Sequence, residues 1–182
     1  IIKALKDKFG KRLLHQRCAI HKDKNIQKHV AKRHRNRVHL LFKTALQQTK
    51  YDDAHKALCE LEKELMTMNV SAARSLREAM DELLTLHRLG VSGDLYKALY
   101  TTNAIENVFS SVRHREHNIK NYNPEYRGRN RKKNISQRWL AAVFLKAEQN
   151  FRTVRGYQQI KSIIKTIEKL QSENIDKKNK AA

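Results

Sequence analysis

From Val38 to Leu84 the chain places apolar residues three and four positions apart, block after block. Val38, Leu41, Phe42, Ala45 and Leu46 follow i, i+3, i+4, i+7, i+8; Ala54, Ala57, Leu58, Leu61, Leu65 and Met68 form a second stripe. Ala72, Leu76, Met80, Leu83 and Leu84 form a third, which Gly90 brings to a stop. This period lines up side chains on one face of an α-helix, whereas a half-buried strand would alternate. The blocks predict three consecutive amphipathic helices with short connections. Turn-forming residues are correspondingly scarce, five glycines and one proline in 182 positions, which argues against an all-β sandwich or barrel.

The spacing recurs further on. Ala104 to about His114 predicts a helix burying Ile105, Val108, Phe109 and Val112. Trp139, Val143, Ala147 and Phe151 mark another, and Tyr157, Ile160, Ile163, Ile164, Ile167 and Leu170 a last one. At the start, Ile2 to Phe9 reads as a short helix ended by Gly10, and Leu13 to Arg17 as a short strand before a further helix. A helix, a strand and a helix in that order are what an α/β sheet leaves when its other strands lie elsewhere. The segment from Arg113 to Arg138 lacks periodic apolar residues, holds Pro124 and reads as a long basic loop. The expected organisation is a helix-strand-helix start over 1–36, a helical block over 37–90 and later helices over 91–171 with the basic loop 113–138. A flexible Lys- and Asn-rich tail follows over 172–182.

Charge bounds the partner. Lys and Arg number 39 against 18 Asp and Glu, a formal net charge of +21, which points to a polyanion. With 40% hydrophobic residues the chain can still fill a modest core, unlike disordered chains of high charge. The opening IIKALKDKFGKRLL is broken by Lys3, Lys6 and Asp7 and does not read as a secretion signal. No stretch nears the ~18 apolar residues of a membrane span. Cys18 and Cys59 cannot make a disulfide framework, so a cytoplasmic, reducing compartment is expected. A start at Ile1 rather than Met suggests a piece of a longer protein.

Three groups of residues could carry chemistry. In the basic segment, Arg113, Arg115, Arg127, Arg129, Arg131, Lys132 and Lys133 are interleaved with Tyr122 and Tyr126, which suits phosphate contacts with base or sugar stacking; the bland alternative is a solvated charge block. Lys28, Lys32, Arg33, Arg35 and Arg37 form a second cluster free of acidic residues. Cys18 and His21 make a C-x-x-H pair followed by His29, His34 and His39. That count would suit tetrahedral zinc at no common finger spacing, and the alternative is a small packed Cys beside a hydrogen-bonded His. In Thr101-Thr102-Asn103-Ala104-Ile105-Glu106, Asn103 and Glu106 could form a capping box. Alternatively Glu106 is a metal-ligating carboxylate, with Ser110 and Arg113 following on its face.

HQRCAIHKDKNIQKHV (15–30), TTNAIENVFSSVRHR (101–115) and RWLAAVFLKAEQNFRTVRGY (138–157), in that order, together resemble the C-terminal part of Mutator-like, DDE-type transposases of prokaryotic insertion sequences. The resemblance implies a mainly α chain that is the C-terminal part of an RNase H-like α/β fold with an all-helical insertion, matching Val38 to His87. It implies metal-dependent phosphodiester cleavage and strand transfer in the intact protein, with Mg²⁺ or Mn²⁺ held by two aspartates and a glutamate that corresponds to Glu106. Cys18, His21 and Asn103 fall near that centre, and Arg113 is the expected phosphate contact beside it. In the family both aspartates precede the C-x-x-H element, and no residue here matches them, so this chain alone is expected to be inactive and to need no cofactor. The implied partners are DNA, as transposon ends and target, with a homo-oligomer left open and no membrane; the implied location is the nucleoid. The competing reading is a non-catalytic helical nucleic-acid-binding protein or a degenerate transposase relic.

Overall fold

The computed structural model describes residues 2–10, 13–117 and 135–179. Its elements are α1 (Ile2–Phe9), α2 (Ala19–Lys28), α3 (Lys32–Leu46), α4 (Tyr51–Met68), α5 (Val70–Arg77), α6 (Met80–Leu83), α7 (Thr85–Arg88) and α8 (Gly93–Leu99). They continue with α9 (Asn103–Glu116), α10 (Ile135–Glu148), a 3-10 turn (Tyr157–Gln159) and α11 (Ile160–Asn179). The chain divides into two compact units, one of residues 1–101 and 155–182, the other of 102–154. Among the described residues no helix is long and apolar enough to cross a membrane.

In the first unit α3, α4 and α5 pack in sequence and α2 lies against α5. Their stripes meet in one core: Ile26, Val38, Phe42, Leu58, Leu65, Leu76, Leu83 and Leu84 are each 3% exposed or less. Each such side chain adds about 1.5–3 kcal/mol by leaving water. Asp52 and Asp53 favour the first turn of α4, where the helix dipole is positive. The Asn69 side chain caps α5 by accepting from the N–H groups of Ser71 and Ala72. A second, smaller cluster gathers Leu86, Leu89, Val91 and Leu95, against which Leu14, Tyr96, Tyr100, Ile163, Ile167 and Leu170 pack.

Two expectations are corrected together. The third apolar block is not one helix but three short ones, and residues 13–18 form no strand. One exchange of hydrogen bonds accounts for the missing strand and for the break between α6 and α7. The carbonyl of Glu82, which an unbroken helix would give to the Leu86 N–H, accepts instead from the Arg17 N–H at 2.9 Å. The Leu86 N–H goes to Gln16 Oε1 at 3.1 Å, Gln16 Nε2 donates to the Leu83 carbonyl, and Thr85 Oγ1 donates to the His15 carbonyl at 2.8 Å. The extended segment thus meets its backbone demand on an interrupted helix, and no strand lies beside it among the described residues.

The second unit pairs α9 with α10. Of the expected buried face of α9, Val112 is buried while Ile105 and Phe109 are 59% and 49% exposed. Phe109 meets Phe144 edge to face, ring centroids 6.5 Å apart. Phe151, read as part of the last stripe of α10, lies beyond its end at Glu148 and is exposed. Of the segment 113–138 expected as a basic loop, Arg113 to Glu116 and Ile135 to Arg138 are helical, and residues 118–134 lie outside the described residues. At the other end, α11 runs through Asn179, past Ser172.

Candidate functional site

Cys18 stands at the N-cap of α2 in extended conformation (φ −64°, ψ 115°) and makes no side-chain bond to the free backbone N–H groups there. His21 is the third helical residue. At that spacing the imidazole lies back over the cap, and its Nδ1 is 3.2 Å from Cys18 Sγ. The C-x-x-H pair is therefore a real contact, half-buried at the sulfur and exposed at the ring. The later histidines engage elsewhere: His34 Nε2 accepts from Arg33 Nε at 2.9 Å, and His39 Nδ1 lies 2.6 Å from Asp23 Oδ2. Among the described residues no three His, Cys, Asp or Glu side chains gather to hold a metal ion.

The next two residues of α2 turn charge inward. Lys22 is 2% exposed, and its Nζ donates to Glu78 Oε1 at 2.8 Å and to Ser75 Oγ at 3.1 Å. The bond from Lys22, and then its charge, hold the Glu78 carboxyl below its ordinary value against a smaller effect of burial. Arg17 adds bonds to Glu78 and Glu82. Asp23, 8% exposed, takes Gln27 Nε2 and His39 on Oδ2, while its Oδ1 is buried without a partner. Neither Lys22 nor Asp23 stood out in the sequence, where both fall in a polar run. A lone charge on the inner face of an otherwise mixed helix leaves no periodic signal.

In the second unit α9 begins one residue earlier than a capping box on Asn103 requires. Thr102 is the N-cap, because the Glu106 N–H already bonds the Thr102 carbonyl at 2.9 Å. Thr102 Oγ1 donates to the Glu106 carboxylate. Glu106 is half-buried in the first turn, where the helix dipole favours a carboxylate, and the exposed Asn103 opens the helix. Arg113, seven residues on, shares the face of Glu106 about 10 Å along the axis; it is exposed, with Nε 3.4 Å from the Phe109 carbonyl. Arg115 is exposed. Arg127, Arg129, Arg131, Lys132 and Lys133 lie outside the described residues.

The second basic cluster splits in two. Arg37 pairs with Glu64 at 2.7 Å and Arg35 donates to the Val30 carbonyl. Lys28, at the end of α2, and Lys32 and Arg33, opening α3, are exposed and meet no carboxylate among the described residues. The first turn of α3 has no acidic residue, and Ala31 at its N-cap supplies no side-chain acceptor. Two cations therefore stand where the helix dipole is already positive, an arrangement that favours an incoming anion such as phosphate.

No curated protein and no solved structure matches the chain. The family model described as "Transposase, Mutator family" matches residues 1–153, a span that holds the Cys18–His21 pair, the cations at the start of α3 and the helix of Glu106. With most of its length inside that match, the chain belongs to the Mutator family of transposases.

Proposed function

We propose that the protein serves transposition by holding DNA on Lys28, Lys32 and Arg33, with Arg113 and Arg115 as a second contact, and that Glu106 is the helix-borne acidic residue of an RNase H-like strand-transfer site. The observation that carries the DNA reading is the start of α3, where exposed cations and free backbone N–H groups coincide with no acidic residue in the first turn. Glu106 is supported by its place in the T-N-x-I-E motif and by its carboxylate in the first turn of α9. In the family's chemistry Mg²⁺ or Mn²⁺ would neutralise charge on the transferring phosphate. The described residues do not fit such an ion by themselves. One carboxylate, itself accepting from Thr102, falls short of a site that needs several, and the remaining ligands must come from outside the described residues. The part assigned to this chain is positioning: α9 fixes Glu106 by its first turn and carries Arg113 two turns along the same face.

Fluorescence anisotropy of a labelled duplex between about 50 and about 200 mM salt tests the DNA reading. Log affinity should fall linearly with log salt, and replacing both Lys32 and Arg33 with Ala should lower the slope by about 2. Affinity indifferent to salt overturns it. Mobilisation of an element encoding Glu106→Gln should be lost, and retained mobilisation overturns the role of Glu106.

A further inference from the structure

Residues of α2, α3, α8, the connection after α3 and the turn before α8 line an open-mouthed cavity of about 250 Å³. Three properties of its wall point the same way. Asp23 lines it and keeps Oδ1 buried without a donor, while Oδ2 is held by Gln27 and His39. A carboxylate oxygen in that state lacks the donor its burial calls for; sealed as it stands, it meets an incoming N–H through a small shift of the Asp23 side chain toward the cavity. Tyr96 and Tyr100, also in the wall, stack on each other with ring centroids 5.3 Å apart and planes 15° from parallel. Tyr96 is fixed by donating to the Leu46 carbonyl at 2.8 Å and by an edge contact from His87, so the aromatic wall is preorganised. Finally, Lys43 lines the cavity and makes no ion pair among the described residues. The volume lies below the ~300–1,000 Å³ of pockets for drug-sized ligands and suits one ring system.

An acceptor for a ring-edge N–H, a flat aromatic surface and a cation within one small cavity are the parts used to hold a base outside the helical stack. We propose that this cavity receives a single nucleobase turned out of bound DNA. The base stacks on the tyrosine wall, its edge N–H donates to Asp23 Oδ1, and Lys43 meets the adjoining phosphate. The inference rests on the DNA-binding reading above and adds a place where one nucleotide is singled out.

The test compares three labelled duplexes of one sequence: fully paired, with one bulged deoxycytidine, and with an abasic bulge. The bulged deoxycytidine should bind about tenfold tighter than the abasic bulge, as expected for stacking of one base on aromatic side chains. Asp23→Asn, which keeps the shape of the residue, should cut that advantage severalfold, and Tyr100→Leu should remove it. Both should leave the paired duplex unaffected. Melting followed by circular dichroism checks both variants, and should Tyr100→Leu unfold, Asp23→Asn carries the test. Equal binding of the two bulges overturns the base pocket and leaves DNA binding standing. Failure to bind any duplex overturns DNA binding and the pocket with it. Tighter capture of free deoxycytidine monophosphate than of the bulged duplex overturns DNA as the source of the base.

Discussion

Both units carry apolar stripes on their helices and bury them very differently. In the first, Ile26, Val38, Leu58, Leu65, Leu76, Leu83 and Leu84 leave 0% of their surface exposed. In the second, Val112 and Val143 are buried while Ile105, Phe109, Phe144 and Leu145 stand 39–64% exposed. An apolar stripe states a demand for a partner, and the first unit answers that demand within the described residues while the second answers it at one seam. Stability should therefore reside in the first unit, and substitutions of the same kind should read differently in the two.

The largest contrast should come from truncating a core side chain. Leu58→Ala removes a fully buried side chain where α4 packs and should lower unfolding free energy by about 3 kcal/mol, measured by urea denaturation. A cost below about 1 kcal/mol would show that the first unit is not the stable one. Next comes the buried cation. Glu78→Gln leaves Lys22, 2% exposed, short of its counter-charge and should cost about 2 kcal/mol, less than a fully buried pair because Glu78 is itself 60% exposed. Lys22→Met, which removes the buried charge and keeps the stem, should stay within about 1 kcal/mol. If that order reverses, the ion pair and not the burial of Lys22 governs the site.

A smaller effect should follow pH. His87 Nε2 meets the Gln48 carbonyl at 3.0 Å and therefore donates to it, and burial pushes the imidazole below its ordinary value. The unfolded chain takes up a proton near pH 6.5 while the folded one resists. The stability tied to His87 is thus complete above that value and declines as pH falls below it. Glu78, held low by Lys22, gives a loss of the same sign at lower pH, below the ordinary carboxylate value of 4.5. Urea midpoints of the native protein should fall between about pH 8 and about pH 5.5, and His87→Gln should flatten that stretch. An unchanged slope would exclude His87 as its source. Smallest of all, Phe109→Ser in α9, at a position 49% exposed, should shift stability by under about 0.5 kcal/mol. A loss comparable to that of Leu58→Ala would mean that the second unit is as tightly held as the first.

The same contrast explains what could be read from the sequence. Period and stop signals located α1 with Gly10, α3, α4 and the end at Gly90, because a helix that finds its core obeys its own stripe. The break of the third block between α6 and α7 was illegible: the stripe Ala72, Leu76, Met80, Leu84 keeps its phase through it, and the cause is capture of the Glu82 and Leu83 carbonyls by residues almost seventy positions earlier. The α9 stripe gave the helix and not its exposure, since periodicity does not report whether a partner is present. At the candidate site the sequence showed the Cys18–His21 spacing, and the structure adds their contact. It did not show that Lys22 and Asp23 point inward, because a charge becomes informative only once its burial is known.

The small cluster of Leu86, Leu89, Val91 and Leu95 draws Leu14 from near one end of the chain and Ile163, Ile167 and Leu170 from near the other. Because its members span residues 14 to 170, it cannot close until α11 has been made, whereas the larger core lies within residues 19–84 and can form earlier. A nascent or clipped chain ending at residue 153, where the family resemblance stops, would carry those four side chains without the cover of α11. Folding of the first unit is thus staged by sequence separation, with the local core first and the cover supplied by α11 later.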